Sequence, residues 1–366
     1  MPSPDQFAPD ELSSALPEWN PEADDVLVCR QVRQETHDVA TFVFSGRTPC
    51  AFRFKPGQFL TLELRIGGAT INRCYTISAS AARPYRLSIT VKRQPGGVVS
   101  NWLHDTLKPG DHIRAIGPLG SFTPPPSSAR KWLLLSGGSG ITPLMSMTRT
   151  ACDLADDRKI VFVHAARSPV DIIFRHELDA MARQMPHLSL AYVCEAAAGE
   201  KHWPGFTGRL SPPMLNLIAP DLLEHEVFCC GPAPFMTAVR AMLEQAGFPM
   251  ARYHQESFDF SELAEAETPP SSPETGKADG AFRIEFAQTG RIIECDADTT
   301  ILSAAKAAGM RLPSSCTRGI CGTCKSRILS GSVDMNHGGG IRQREIDSGL
   351  ALLCCSKPKS DIVVDR

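Results

Sequence analysis

The feature of this 366-residue chain that most constrains its fold is a run of cysteines near its C-terminal end. Residues 316–324 read CTRGICGTC, and a vicinal pair, Cys354–Cys355, follows later in the chain. Disulfides are rare inside cells, where clustered thiols instead bind metals or take part in catalysis. A segment of this composition has to form a tight loop that directs several sulfur atoms towards one centre.

The spacing of these cysteines distinguishes between three kinds of site. Cys316, Cys321 and Cys324 follow the C-x4-C-x2-C spacing of plant-type [2Fe–2S] loops, and Gly319 and Gly322 allow the backbone to turn tightly. A redox-active C-x-x-C pair opens a helix in a βαβ unit, and a zinc site usually uses two separated C-x2–4-C pairs. The spacing therefore favours an iron–sulfur cluster, and a zinc-stabilised binding module is the non-enzymatic alternative.

The hydrophobic pattern divides the chain into three globular stretches. Residues 26–128 contain short alternating segments with frequent turns, which predict an antiparallel β-barrel. In residues 129–258 apolar strands alternate with helical segments, which predicts an α/β domain with a doubly wound parallel sheet. Residues 281–366 begin with two strands and a helix, TTILSAAKAAG, which we expect Thr299 or Thr300 to cap and Gly309 to end.

Two other segments have the composition of flexible chain. Residues 1–25 are acidic and proline-rich, which predicts a flexible N-terminal tail. Residues 259–280 carry six acids and one lysine together with Pro, Ser and Gly, which predicts a linker. We hypothesise that this linker lets the last domain swing between two positions.

Charge and hydropathy limit the partners and the compartment of the protein. The formal net charge is −2, which argues against nucleic acid as a partner. No apolar run approaches the length of a membrane span, and the first residues lack the basic and apolar regions of a signal peptide. We therefore expect a cytoplasmic protein that binds no membrane.

Two motifs in the β-rich stretch suit a phosphorylated ligand with a flat ring. Arg73 and Tyr75 lie on one face of a strand and Thr76 on the other, so a cation, an aromatic ring and a hydroxyl lie close together. Further on, a glycine-rich turn leads into a helix that we expect Ser100 to cap. The N-terminus of such a helix can bind a diphosphate.

The α/β stretch has glycines where a dinucleotide would approach a parallel sheet. LLLSGGSGITP ends the first strand of this stretch, and FCCGPAPFM follows a later strand. Glycines at the carboxyl ends of such strands allow backbone N–H groups to approach a diphosphate. Arg167 and Ser168 follow the second strand, where an adenosine ribose is read.

These motifs, in this order, resemble those of the ferredoxin–NADP reductase superfamily, here with a C-terminal ferredoxin of the plant type. The resemblance implies a multidomain protein with a β-barrel flavin domain, an α/β nicotinamide domain and an α+β, β-grasp ferredoxin domain. It also implies FAD, a [2Fe–2S] cluster, and NADH or NADPH, with NADH expected, as cofactors. Its cluster ligands would be Cys316, Cys321, Cys324 and Cys354, with Cys355 as a neighbour.

The same resemblance implies a role for each motif residue. Arg73 would contact the flavin diphosphate, Tyr75 would pack on the flavin, and Thr76 would lie near flavin N5. The backbone N–H groups that would bind the diphosphate belong to Gly97, Val98, Val99 and Ser100. The nicotinamide cofactor would contact Gly137, Gly138, Gly140, Thr142, Pro143, Arg167, Ser168, Cys230, Gly231 and Pro232. Glu256 and Phe258 would lie near flavin N5 and the ring, and the catalytic residues would be Thr76, Cys230 and Glu256.

Longer stretches, among them LSGGSGITPLMSM and ARYHQESF, resemble the reductase components of Rieske-type monooxygenases that demethylate glycine betaine or stachydrine. This resemblance implies an NAD(P)H-dependent reductase that passes electrons one at a time to a Rieske-type oxygenase, its protein partner. Reductases of the hybrid-cluster protein and of phenylacetyl-CoA-type oxygenases are the enzymatic alternatives.

Overall fold

The computed structural model describes residues 16–125, 129–198, 200, 202–258, 281–310, 312, 314, 317–320 and 322–366. The predicted linker, 259–280, lies outside the described residues, and so do residues 1–15 of the predicted tail. No helix in the described ranges has both the length and the apolar character that crossing a membrane requires.

The first unit is a six-stranded antiparallel sheet in the order β4-β3-β6-β1-β2-β5, and a bridge between Ile77 and Ile89 joins its two edges into a barrel. Its strands and helix are β1 (Val26–Thr36), β2 (Val39–Gly46), β3 (Phe59–Ile66), β4 (Ala69–Thr76), β5 (Leu87–Lys92), α1 (Val98–Thr106) and β6 (His112–Leu119). The core consists of the inward-facing apolar side chains of these strands, such as Phe42 and Leu60, both fully buried.

The end of the predicted N-terminal tail packs on this barrel. Trp19 is buried, and its ring centroid lies 5.4 Å from that of Phe52. The Trp19 N–H donates to the Ala51 carbonyl (2.9 Å). In residues 16–25 of the predicted tail, one large apolar side chain thus packs this polar segment against the barrel core.

The second unit is a parallel six-stranded sheet in the order β10-β9-β8-β7-β11-β12. Its elements are β7 (Lys131–Gly137), α2 (Ile141–Asp153), β8 (Lys159–Ala166), α3 (Arg175–Gln184), β9 (Leu188–Cys194), β10 (Phe206–Thr207), α4 (Pro212–Ile218), β11 (Glu226–Cys230), α5 (Ala233–Gln245) and β12 (Tyr253–Glu256). Every residue of β11 is buried, as expected for a central parallel strand covered on both faces. The carboxyl ends of β7 and β11 lie side by side, where the sequence predicts the glycine loops.

The third unit is a mixed five-stranded sheet in the order β14-β13-β19-β15-β17, beside a two-stranded sheet of β16 and β18. Its elements are β13 (Phe282–Phe286), β14 (Arg291–Cys295), α6 (Ile301–Ala307), β15 (Lys325–Ser330), β16 (Val333–Met335), α7 (Gln343–Asp347), β17 (Leu350–Leu352), β18 (Ser356–Pro358) and β19 (Ile362–Val364). The Thr300 side chain accepts the Ser303 N–H and caps α6, and Gly309 follows the helix at φ +74°. Both ends of this helix therefore match the sequence prediction.

Candidate functional site

Strand β4 places the predicted flavin-contacting side chains at the edge of the barrel. Tyr75 is partly buried against the barrel core, and Thr76, the last residue of the strand, is buried. The Arg73 guanidinium donates to the Asn72 carbonyl (2.8 Å) and forms no ion pair with any described residue. An arginine without an acidic partner has donors available for an anion, so the strand fits the predicted diphosphate.

Helix α1 begins one turn earlier than the sequence predicted. Its N-cap is Gly97, whose carbonyl accepts the Asn101 N–H (3.1 Å). The predicted cap, Ser100, instead lies inside the first turn, where its hydroxyl accepts the Gln94 N–H (3.1 Å) and closes the preceding loop. The N–H groups of Val98 to Ser100 are first-turn donors without intrahelical partners. They fit a diphosphate, and this cradle requires glycine at its start because a β-carbon on Gly97 would lie 2.6 Å from Ser100 Oγ.

The two predicted nicotinamide loops are in direct contact. A β-carbon on Gly140 would lie 2.3 Å from the Cys230 carbonyl oxygen, and one on Gly231 would lie 3.0 Å from the Gly137 nitrogen. Gly138 has φ +52°, and a β-carbon there would meet no atom within 4 Å, so open space faces the backbone at this position. The loops fit a dinucleotide, which needs such close access to backbone N–H groups.

The start of α2 completes this loop. Thr142 and Pro143 are buried in the first turn of the helix, and the Thr142 hydroxyl donates to the Ser139 carbonyl (3.2 Å). This bond closes the glycine turn from the helix side. Pro232 packs close to the other end of the loop, 3.1 Å from the position of a β-carbon on Gly137.

Two predicted catalytic residues are neighbours on adjacent parallel strands. Cys230 at the end of β11 pairs with Glu256 at the end of β12 and with Ser136 of β7. Burial raises the pKa of the Cys230 thiol well above its usual value, and it raises the pKa of Glu256 to about 8, against the opposing effect of Arg318. Burial therefore favours the neutral form of both groups. Cys230 is suited to packing against a ligand rather than to nucleophilic attack.

The Glu256 carboxyl also lacks a complete set of hydrogen bonds. Its Oε2 atom is buried and has no hydrogen-bond partner among the described residues. A buried polar atom of this kind indicates a missing ligand or a catalytic role. Phe258, two residues further on, is 37% exposed and leaves a ring face accessible. Both observations fit a flavin ring placed at this end of β12.

The site at the end of β8 contains acids that the sequence prediction missed. Arg167 lies between Asp38 (3.5 Å) and Asp171 (3.2 Å), and the Ser168 hydroxyl donates to Asp171 (2.6 Å). Asp38 comes from the turn between β1 and β2, so it could be placed here only by the docking of the two domains. Asp171 follows the second strand of the parallel sheet, where acids that read a ribose are found, and this signal was available in the sequence.

The cluster loop is described in part. Cys316 and Cys321 lie outside the described residues, whereas Cys324 and Cys354 are both buried. The Gly319 N–H donates to Cys354 Sγ (3.3 Å), a bond typical of thiolates that ligate a cluster. The Cys355 thiol is half-buried, donates to the Leu352 carbonyl (3.5 Å) and also interacts with the Cys354 side chain. No disulfide joins any of the described cysteines. The burial of Cys354 and its bond from Gly319 therefore favour Cys354 over Cys355 as the predicted ligand.

An antiparallel barrel with a flavin-type strand, a parallel sheet with a dinucleotide loop and a ferredoxin-type unit together define an NAD(P)H-dependent flavin and iron–sulfur reductase. Three family models match the chain: "Oxidoreductase FAD-binding domain" at residues 27–123, "Oxidoreductase NAD-binding domain" at 134–241, and "2Fe-2S iron-sulfur cluster binding domain" at 284–359. The predicted fold class, enzyme class and cofactors are thus confirmed, while the choice between NADH and NADPH stays open.

Similar proteins identify the family. The chain is 48% identical to the glycine betaine monooxygenase reductase subunit of Pseudomonas aeruginosa, over 92% of this chain and 94% of that protein. It is 43% identical to the stachydrine N-demethylase reductase subunit of Rhizobium meliloti, over 93% and 96%. The solved structure of phthalate dioxygenase reductase shares the fold, with a TM-score of 0.54, 24% identity and coverage of 95% and 100%. The chain belongs to the family of reductase components of monooxygenases.

Proposed function

We propose that this reductase supplies electrons to a Rieske-type oxygenase that removes a methyl group from a quaternary ammonium compound such as glycine betaine or stachydrine. The observation that carries the proposal is the similarity, over more than nine-tenths of the chain, to reductase subunits of a glycine betaine monooxygenase and of a stachydrine demethylase. A third relative, the ferredoxin reductase component of a Rhodococcus rhodochrous 3-ketosteroid-9-alpha-monooxygenase, is less similar at 32% identity.

Side chains and backbone N–H groups of this chain form the flavin and nicotinamide sites that electron transfer to an oxygenase requires. The chemistry that bound flavin supplies is the splitting of the two electrons of a hydride into single electrons. Arg73 and the first-turn N–H groups of α1 would bind the diphosphate, and Tyr75 would pack on the ring. The uncharged thiol of Cys230 and the protonated carboxyl of Glu256 keep charge and bulk water away from the place where the nicotinamide meets the flavin. Burial favours the protonated form of Glu256, whose Oε2 atom has no hydrogen-bond partner among the described residues.

The residues around the cluster stabilise negative charge on sulfur. The Gly319 N–H points at Cys354 Sγ, and a donor to a ligating thiolate favours the reduced cluster electrostatically. Gly319 has φ +68°, and a β-carbon there would lie 2.7 Å from Cys355 Sγ. A side chain at this position would displace the loop and with it the donor.

Reconstitution tests the proposed partner. The purified reductase, NADH and a purified Rieske-type oxygenase of glycine betaine or stachydrine demethylation should release formaldehyde from the matching substrate. The same mixture without the reductase should release none. Phenylacetyl-CoA-type and ketosteroid oxygenases serve as competing acceptors. Faster electron delivery to either of them than to the demethylating oxygenases would contradict the proposal.

The nicotinamide preference can be tested at Asp171. Because Asp38 and Asp171 pair with the exposed Arg167 guanidinium, they would compete with a 2′-phosphate for this cation, and the Asp171 carboxylate would repel the phosphate. We expect NADH to be preferred. Asp171→Ser should raise the ratio of kcat/KM for NADPH to that for NADH by at least about 10-fold. Asp157→Ser is the matched control, since Asp157 is an exposed acid of the same domain that pairs with Arg130. A native preference for NADPH, or a ratio unchanged by Asp171→Ser, would refute the assignment.

A further inference from the structure

The ferredoxin domain is attached to the flavin domain by a group of ion pairs around Arg342, which we call the Arg342 cluster: Arg342, Asp25, Glu63 and Glu345. The Arg342 guanidinium lies 3.2 Å from Asp25, 3.2 Å from Glu345 and 4.0 Å from Glu63. It also donates to the Ala115 carbonyl in β6 (3.1 Å). Its side chain is only 2% exposed. A buried arginine needs such partners, because an unpaired charge in this position would be strongly unfavourable.

Further cations of the ferredoxin domain surround this group. Lys325, at the start of β15, lies 2.7 Å from Glu345 and 3.7 Å from Glu63. Arg344 lies 2.7 Å from Asp25. The flavin domain therefore contributes the acids of the interdomain pairs and the ferredoxin domain contributes the cations. This charge arrangement fixes the orientation in which the two domains fit together.

Without the ferredoxin domain, Asp25 and Glu63 of the flavin domain would have fewer cationic partners. Among the described residues of the flavin domain, only Arg114 pairs with Asp25 (2.8 Å) and Glu63 (3.7 Å). Arg114 is about half exposed, whereas Asp25 is 7% exposed. The two acids thus form a site that is completed by the cations of the docked domain, with Arg342 at its centre.

A second contact joins the flavin strand directly to the cluster loop. The Asn72 side-chain amide donates to the Gly322 carbonyl (3.1 Å). Asn72 immediately precedes Arg73 in β4, and Gly322 lies between Cys321 and Cys324. Asn72 is buried, and a β-carbon on Gly322 would lie 2.8 Å from its Nδ2 atom. The strand predicted to hold the flavin and the loop predicted to hold the iron–sulfur cluster are therefore hydrogen-bonded neighbours.

We propose that Arg342 is a positioning residue that sets the rate of electron transfer from the flavin site to the iron–sulfur site by holding the cluster loop against β4. The ferredoxin domain then receives electrons in the docked position shown here, without swinging between two positions. One electron crosses the contact in each transfer, leaving the reduced flavin site and converting one ferric iron of the cluster to ferrous iron, so no additional reactant is needed. The inference rests on the proposed placement of both cofactors.

The test compares Arg342→Gln with Arg283→Gln in the full-length holoprotein. Arg283 is the matched control, because it is a half-exposed arginine of the same domain that pairs with Glu285 on its own strand. After anaerobic mixing with NADH, flavin bleaching should proceed at the native rate in both variants. The electron paramagnetic resonance signal of the reduced cluster should appear about 10-fold more slowly in Arg342→Gln, because small displacements of reacting groups have effects of this size or larger.

A second readout reports docking without turnover. Amide hydrogen exchange at residues 113–116 and 340–346 should be faster in Arg342→Gln than in the native protein, and unchanged in Arg283→Gln. Arg342→Lys keeps the charge and should restore part of the rate. If Arg342→Gln fails to fold, Glu63→Gln removes an acid of the same cluster and should slow the same step by a smaller factor.

The outcomes separate this inference from the proposed function. A native protein without flavin or cluster absorption would overturn the proposed function. Normal cofactor spectra with an unchanged rate of cluster reduction in Arg342→Gln would overturn the positioning role. A faster delivery of electrons to a protein acceptor in Arg342→Gln would show that the docked domain has to leave, and would support the swinging linker instead.

Discussion

Replacement of Cys354 by serine will abolish the [2Fe–2S] cluster, whereas replacement of Cys355 will leave it in place. The two cysteines are adjacent and both thiols would be available in an unfolded chain, so the pair is its own matched control. Cys354 is buried and accepts the Gly319 N–H, while Cys355 is half-buried and its thiol donates to the Leu352 carbonyl. Substituting residues that only support the ligands lowers metal affinity or activity roughly 10- to 100-fold. Loss of a ligand itself should therefore have a larger effect on the cluster.

The measurement for this pair has three parts. Iron and sulfide content and the electron paramagnetic resonance signal report the cluster, and cytochrome c reduction reports delivery to a one-electron protein acceptor. Cys354→Ser should lose all three and retain its flavin and the bleaching of that flavin by NADH. Cys355→Ser should resemble the native protein in each. Loss of the cluster in Cys355→Ser with its retention in Cys354→Ser would reverse the ligand assignment.

Arg73→Gln will weaken flavin binding by about 10- to 100-fold. The Arg73 guanidinium donates to the Asn72 carbonyl and forms no ion pair with any described residue, so its remaining donors can bind a diphosphate. A hydrogen bond to a charged group contributes about 1.5–3 kcal/mol, which corresponds to this change in Kd. The substitution leaves the barrel core intact, because the neighbouring Tyr75 supplies the apolar contact on this face.

Arg65→Gln is the control for this prediction. Arg65 is an exposed arginine on β3, the strand paired with β4, and it is no part of either motif. Flavin release after dilution, followed by fluorescence of the free flavin, measures the binding. Equal retention of flavin in the two variants would remove Arg73 from the diphosphate site, and equal losses would point to a general effect of charge on the barrel.

Local patterns made most of the fold predictable. Alternating polarity marked the barrel strands, and the glycine loops marked the carboxyl ends of β7 and β11. The start of α1 was predicted incorrectly. Ser100 resembled an N-cap, but the Gly97 carbonyl accepts the first helical hydrogen bond. Serine at this position can bond either to the helix or to the preceding loop, and the sequence does not decide between them.

Contacts between distant segments were not predictable from the sequence. Arg344 and Asp25 are separated by 319 residues, and Asn72 and Gly322 by 250. Gly322 belongs to the cysteine motif, but nothing in that motif indicates Asn72 as its partner, and the basic residues of the ferredoxin domain could equally have been scattered over its surface. Their role depends on how the domains dock, which is a tertiary property. Asp38 is a similar case, because it reaches Arg167 at the predicted ribose site from another domain.

The central claim is that electrons pass from the nicotinamide to the flavin and then to the iron–sulfur cluster. Anaerobic rapid mixing of the native protein with NADH, followed by absorbance and by freeze-quenched electron paramagnetic resonance, tests it most directly. Flavin bleaching should come first, and the signal of the reduced cluster should follow with a rate that does not depend on the NADH concentration. A cluster signal that precedes flavin bleaching, or a colourless protein that contains stoichiometric zinc, would contradict the account.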